Sequence, residues 1–270
     1  MSRRPTQDRF HGSPELFPPR RRPPAVTLTI ALTVAAGAMT AAFVAGLAGF
    51  GTGLVALGFW LHVIDPLLAA PLVVFCSVVA HIQSLITLRR GVVFGQLWPI
   101  LIGGVAGVPL GVVLLNHIDP TLFRGAVGVF LIFYASIMLA IKRMPVIRWG
   151  GRPADGAIGF GGGIMGGIAG LSGPLPTIWC GLKGWDKDRQ RAAMQTFNLT
   201  VLGFAFIVQA TQGVVTREVG TLILISLPCT LLGAWLGTHS YGRISDRQFR
   251  ALVLWLLLAS GVTLTISNLL

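Results

Sequence analysis

Charge is scarce in this sequence, and negative charge is scarcest. Of the 270 residues 11% are charged, against about 25% in an ordinary soluble domain, and only nine are Asp or Glu. Those nine (Asp8, Glu15, Asp65, Asp119, Asp155, Asp186, Asp188, Glu218, Asp246) stand in the amino-terminal stretch or between long apolar runs. A hydrophobic share of 53% and a mean hydropathy of +0.76 exclude a soluble enzyme, a disordered chain and a collagen together. Cysteine is also sparse. Cys76, Cys180 and Cys229 are odd in number, far apart and each inside an apolar stretch, which excludes a disulfide framework and any zinc or iron–sulfur spacing. No cofactor and no metal is expected.

The basic surplus, 21 Lys+Arg for a net charge of +12, would suit nucleic acid in a soluble chain. Here placement decides otherwise. Arg3, Arg4, Arg9, Arg20, Arg21 and Arg22 fall in the first 24 positions, and nearly all the rest fall between apolar runs, as membrane-flanking cations do. The partners this composition admits are the lipid bilayer, a small anionic substrate and a second copy of the chain (a homo-oligomer); nucleic acid is excluded. Residues 1–24, rich in Pro and Arg, read as a disordered basic tail rather than a cleavable signal.

Spanning about 30 Å of hydrocarbon takes about 20 apolar residues. The chain supplies such stretches at Val26–Gly49 (continuing with breaks to Ile64), Leu67–Leu88, Leu97–Leu115, Leu122–Ile141, Gly156–Leu182, Ala192–Val215, Val219–Leu236 and Ala251–Leu270. The fold class expected is all-α, a polytopic membrane protein of about eight transmembrane helices. The chain also repeats. Gly107–Gly111, followed by Ile118, Phe123 and Arg124, recurs 126 positions later as Gly233–Gly237, followed by Ile244, Phe249 and Arg250. Gly46-Leu47-Ala48-Gly49-Phe50 matches Gly167-Ile168-Ala169-Gly170-Leu171, 121 positions on. Internal duplication of this kind marks secondary transporters. The layout expected is a tail (1–24), a first repeat of four segments (25–143), a linker (144–153) and a second repeat (154–270).

Lys and Arg in short loops set orientation. With the tail in the cytoplasm and each segment crossing once, Arg89, Arg90, Lys142, Arg143, Arg148 and Arg152 fall inside, in a cell membrane. The second half disagrees, because Lys183, Lys187, Arg189, Arg191, Arg243, Arg247 and Arg250 would then lie outside. A re-entrant hairpin at Gly156–Leu182 would bring them back.

Two sites break helices where helices should be continuous. Gly49-Phe50-Gly51-Thr52-Gly53 interrupts the first segment, and Gly161–Gly163, Gly166-Gly167 and Gly170-Leu171-Ser172-Gly173-Pro174-Leu175-Pro176 interrupt the fifth. Proline lacks the ladder donor and glycine costs about 1 kcal/mol against Ala. Irregular backbone at membrane depth survives only when buried in protein or lining a cavity, and helix starts there present free N–H groups to anions. Glycines alone are equally read as packing seams, but packing does not call for Pro174 and Pro176. Polar residues form a second set. Ser77, His81 and Ser84 share one helical face, and Gln195 and Asn198 share another, in the same ordinal segment of each half. The substrate-binding candidates are Gly49, Gly51, Thr52, Gly53, Ser77, His81, Ser172, Gly173, Pro174, Gln195 and Asn198.

The first break, the Gly107–Gly111 run, the Gly-Leu-Ser-Gly-Pro break and the following Gly184-Trp185-Asp186-Lys187 with Arg191 resemble the sulfite exporter TauE/SafE family of membrane permeases, from about Val26 to Leu270. The resemblance implies a bundle made by duplicating a four-helix unit and transport of sulfite, sulfonates or related sulfur-containing anions. Thr52 stands where that family commonly has a denser glycine cluster. Two other classes compete. Gly170-Leu171-Ser172-Gly173 also matches the nucleophile motif of rhomboid-type intramembrane serine proteases, with His239 as the base, and a passive anion channel needs no coupling group.

Overall fold

The computed structural model describes residues 27–88, 97–141, 145–147, 149–241 and 246–269. The basic tail, Arg89, Arg90, Lys142, Arg143, Arg148 and Arg243 lie outside them. The described residues form ten helices and no strand: α1 (Leu28–Ala48), α2 (Thr52–Trp60), α3 (Pro66–Leu88), α4 (Trp98–His117), α5 (Pro120–Ala140), α6 (Gly151–Ala169), α7 (Pro174–Leu182), α8 (Lys187–Thr211), α9 (Arg217–Ser240) and α10 (Asp246–Leu269). Local chemistry fixes many of the starts. Thr27, Asp119, Asp186 and Thr216 cap α1, α5, α8 and α9 by accepting backbone N–H bonds, and Pro120 and Pro174 open α5 and α7 at the one turn that needs no proline N–H. Helix α6 begins at Gly151, inside the stretch expected to be a linker.

Six helices, α1, α3, α4, α5, α8 and α9, are long and apolar enough to cross a membrane by length and composition, and α10 contributes a shorter apolar stretch, Val253–Asn268. Neither broken segment is one continuous helix, and both double back, the second as a hairpin of the kind offered as the alternative for Gly156–Leu182. Helix α2 returns along α1, where Trp60 Nε1 donates to the Val34 carbonyl at 3.3 Å and the indole lies over Gly37. Helix α7 returns along α6, where Trp179 Nε1 and Lys183 Nζ reach Asp155 Oδ1 at 2.6 and 2.5 Å. Nine residues of helix rise only about 14 Å, so each returning arm is half a crossing.

Helix directions follow from the contacts. Cys76 Sγ meets Ser226 Oγ at 3.4 Å and Ser84 meets Thr238 at 3.2 Å, so α3 and α9 run parallel. Gly233 and Gly237 of α9 face Met39 and Phe43 of α1, which runs the same way. Gly103, Gly107 and Gly111 of α4 face Gly156, Phe160 and Ile164 of α6, again parallel, while Gly125 and Gly128 of α5 face Asn268 and Thr265 of α10, antiparallel. The starts of α1, α3, α5 and α9 therefore share one face with the ends of α4 and α8, where Asn116 Nδ2 donates to Gln212 Oε1 at 3.1 Å. The starts of α4, α6, α8 and α10 share the opposite face.

Two seams of glycine bring backbones together. Gly159, Gly163 and Gly167 of α6 press on the carbonyls of Ile100, Gly104 and Val108 in α4, and Gly46 presses on Ala234 in α9; a Cβ at any of them would collide with a carbonyl oxygen. Small residues let helices approach closely where lipid offers no hydrophobic drive to associate.

Candidate functional site

Each break is built from glycines that must leave the right-handed region. Gly49 (φ 81°) and Gly51 (φ 102°) end α1 and open α2, and Gly170 (φ 67°) ends α6; all three adopt left-handed backbone that a side chain disfavours. The two breaks meet. Gly53 lies against the Gly170 carbonyl and Leu171, Gly173 lies against Phe50, and Asn198 of α8 joins them: its Nδ2 donates to the Gly49 carbonyl at 3.4 Å and its Oδ1 accepts from Ser172 Oγ at 2.7 Å.

Between the breaks lies a buried cavity of about 10 Å³, room for about one water. Gly51, Thr52, Gly53, Ser77, His81, Ser172, Gly173, Pro174 and Asn198 all line it, joined by Leu54, Gly170, Leu171 and Leu202. Gly49 borders it through Asn198. Gln195 does not line it: it is buried one turn before Asn198 on α8, with Nε2 unpartnered. Thr52 Oγ1 and His81 Nδ1 are buried and have no hydrogen-bond partner, whereas Ser77 Oγ donates to Val73 O of its own helix at 2.7 Å. An unpartnered polar atom away from water costs about 1–3 kcal/mol, and two such atoms stand beside this one cavity.

The two helix starts at the cavity differ in chemistry. Gly51 caps α2 without a side chain, and the first return bond runs from Val55 N to Gly51 O, so the N–H groups of Thr52, Gly53 and Leu54 have no partner within the helix. In α7 the first return bond runs from Thr177 N to Gly173 O, and Pro174 and Pro176 have no N–H, which leaves Leu175 alone as a donor. The α2 start is the donor-rich end; the α7 start is a stiff wall.

Arg191, read from the sequence as a loop cation and as part of the family resemblance, and Gln209, read as one of the polar residues of its segment, stand outside the substrate-binding candidates. Arg191 falls in a charged stretch that reads as a loop, yet it sits in the first turns of α8, 4% exposed, where its guanidinium donates to the Gly46 carbonyl and stacks 3.8 Å over the Tyr241 ring. Tyr241 in turn donates to Asp188 Oδ1 at 2.7 Å. Gln209 Nε2, near the other end of α8, donates to the Gly167 carbonyl at 3.1 Å. Gly46 and Gly167 are equivalent positions of the two matched glycine runs, so one helix ties the last turn of each broken helix. The available signal was helical spacing: Arg191, Gln195, Asn198 and Gln209 fall on one face.

The pair that a serine protease needs is not formed. Ser172 Oγ donates to Asn198, and His239 is exposed at the end of α9 with Nδ1 against Trp235 O at 2.9 Å. In comparison with known proteins, the family model for the sulfite exporter TauE/SafE matches residues 34–264. No curated protein and no solved structure matches the chain.

Proposed function

The chain belongs to the sulfite exporter TauE/SafE family of membrane transporters, and on that premise we propose that it is a permease for a small sulfur-containing anion, sulfite or an organosulfonate, bound between the two breaks. The observation that carries this reading is the donor-rich start of α2 opening on a buried cavity beside two unpartnered polar groups, Thr52 and His81. Oriented N–H groups attract an anion without the insertion cost of about 2.5–3.5 kcal/mol that a lysine or arginine in mid-membrane incurs. Ser172 and Asn198 supply neutral polar contacts, weak enough for release, and Gln195 stands behind them on the same face of α8. A space that holds one water does not conduct a larger anion, which favours a carrier that opens and closes over a standing pore.

The same reading takes the halves as inverted structural repeats. In support, α1 packs on α9 as α6 packs on α4, α3 meets α8, and α5 meets α10; each half begins with a helix that doubles back, and the halves begin on opposite faces. Such repeats place substrate at the interface of the halves and alternate access around it. Orientation follows in the cell membrane. By sequence, the connections between helices that end and begin on the α6 and α8 starting face carry Arg89, Arg90, Lys142, Arg143, Arg148, Lys183 and Arg243, and the first turns of α6 and α8 carry Arg152, Lys187 and Arg189, so that face is taken as cytoplasmic. On that assignment the start of α1 lies on the other face, which departs from the cytoplasmic amino terminus expected from the sequence; the tail itself lies outside the described residues.

The test is flux in proteoliposomes with sulfite, sulfate, sulfoacetate and taurine. Saturable uptake of the sulfur anions supports the reading; uptake that favours cations, or none at all, ends it.

A further inference from the structure

His81 is the one titratable side chain among the described residues that line the cavity. It is 1% exposed, its Nδ1 is unpartnered, and it stands with Thr52, Ser77, Ser172 and Asn198 where the two breaks meet. We propose that His81 is the proton carrier of this site: it takes up one proton when a monovalent anion binds and releases it when the anion leaves, so that one proton and one anion cross together. The inference rests on the anion-site reading above and names its coupling.

An anion drawn by N–H dipoles into a buried space keeps its full negative charge, and an ionised group without a counter-charge in low dielectric is costly. A fixed cation would cancel that charge but would hold the anion, whereas an imidazole can gain a positive charge with the anion and lose it afterwards. The helices packed on α3 offer no substitute. Helices α1 and α2 carry no titratable side chain, and α5 carries Arg124, bonded to Ile64 O, and Tyr134. Helix α6 carries Arg152, and Asp155 paired with Lys183. Helix α8 carries Lys187, Asp188, Arg189 and Arg191, all in its first turns, with Arg191 on the Gly46 carbonyl and Tyr241. Helix α9 carries Cys229, with Arg217, Glu218 and His239 near its ends, and Cys76 lies on α3 itself. None of these lines the cavity.

The proton balance is simple. The proton comes from water on the face to which the site is open and joins a ring nitrogen of His81, and no net charge moves in the loaded form. On the far face the anion leaves, the proton follows it to water, and the neutral ring returns.

The experiment uses the full chain in proteoliposomes, with isotope uptake of sulfite and of methanesulfonate, a monoanion that does not titrate near neutral pH, and a trapped pH dye to count protons. Wild type should move about one proton per methanesulfonate and be indifferent to an imposed potassium diffusion potential. His81→Gln, which keeps a polar side chain but cannot hold the proton, should carry less anion, with a proton ratio near zero and a rate that responds to the potential. Even if that variant fails to fold, the wild-type measurement can still overturn the proposal. Anion uptake by wild type without protons would overturn the role of His81 and leave the anion site standing, as would a proton ratio that survives His81→Gln; uptake of neither anion would overturn the site itself.

Discussion

Gly163→Ala and Gly203→Ala are the same chemical change in two helix interiors, and the structure sets their outcomes apart. Replacing a helical glycine by alanine is worth about 0.5–1 kcal/mol when nothing else changes. At Gly203 in α8 a Cβ meets nothing within 4 Å, so that gain should be realised in full. At Gly163 in α6 a Cβ would collide with the carbonyl oxygen of Gly104 and stand 2.8 Å from its carbon and 3.0 Å from its Cα, where ordinary contact begins at 3.4 Å. The obstacle is backbone on both sides, so no rotamer can relieve it and α4 must move away from α6 by roughly half an ångström or more. Overpacking of this size costs about 1–3 kcal/mol, and the seam does not yield at one residue, because Gly159 and Gly167 press on Ile100 and Val108 one turn to either side. Because both variants share the helix-propensity gain, they should differ by the overpacking cost, about 1–3 kcal/mol, with Gly203→Ala at or above wild type. Thermal unfolding in detergent, read by the temperature at which the monodisperse chromatographic peak disappears, measures the difference. Equal midpoints would refute the close seam and the parallel register of α4 and α6 drawn from it.

Other outcomes follow from the site and its supports. Ser172→Ala removes the hydrogen bond, worth about 0.5–1.5 kcal/mol, that holds Asn198 at the cavity, so the half-saturation concentration for anion flux should rise, by up to roughly tenfold, at unchanged protein level; unchanged kinetics would remove Ser172 from the site. Asn198→Ala loses contacts to both Ser172 and Gly49, and should lower thermal stability as well as flux. Asp155→Ala leaves the Trp179 indole and the Lys183 ammonium without their shared acceptor and should cost about 1–3 kcal/mol, read as a lowered unfolding midpoint; no shift would mean that the α6–α7 hairpin is held elsewhere. Where Cys76, Cys180 and Cys229 are replaced by Ala, a membrane-impermeant maleimide should label Asn116→Cys in intact cells and Val146→Cys only after lysis. Both sites labelled from one side would contradict the faces assigned to α4 and α5.

The sequence reading reached the breaks and the shared polar faces because both are local. Glycine and proline at Gly49–Gly53 and Gly170–Pro176 cannot continue a helix, and Ser77 with His81 or Gln195 with Asn198 share a face wherever a helix forms. It also reached the close contacts at Gly107–Gly111 and Gly233–Gly237, since small residues four apart leave a groove. Direction after a break is another matter. Whether the nine residues beyond Gly51 go on or turn back depends on Trp60 reaching Val34, a contact between distant positions that composition does not encode, whereas the basic residues after Leu182 already suggested the hairpin that Trp179 and Lys183 make on Asp155. Arg191 escaped for a related reason: a cation between apolar runs reads as a loop cation, and only the position of the Gly46 carbonyl turns it inward.

Helix α8 can be regarded as a ruler laid across the whole machine. Its ties to the first broken helix, to the meeting point and to the second broken helix lie at Arg191, Asn198 and Gln209, intervals of seven and eleven residues, about two and three turns at 3.6 residues each. Such a device tolerates many changes of side chain and almost none of length. One residue inserted between Asn198 and Gln209 would swing the later tie by about 100° and let go of the Gly167 end while the Gly46 end stayed held. In functional chains built on this plan the distance along α8 should accordingly be kept more strictly than the identity of the residues that mark it.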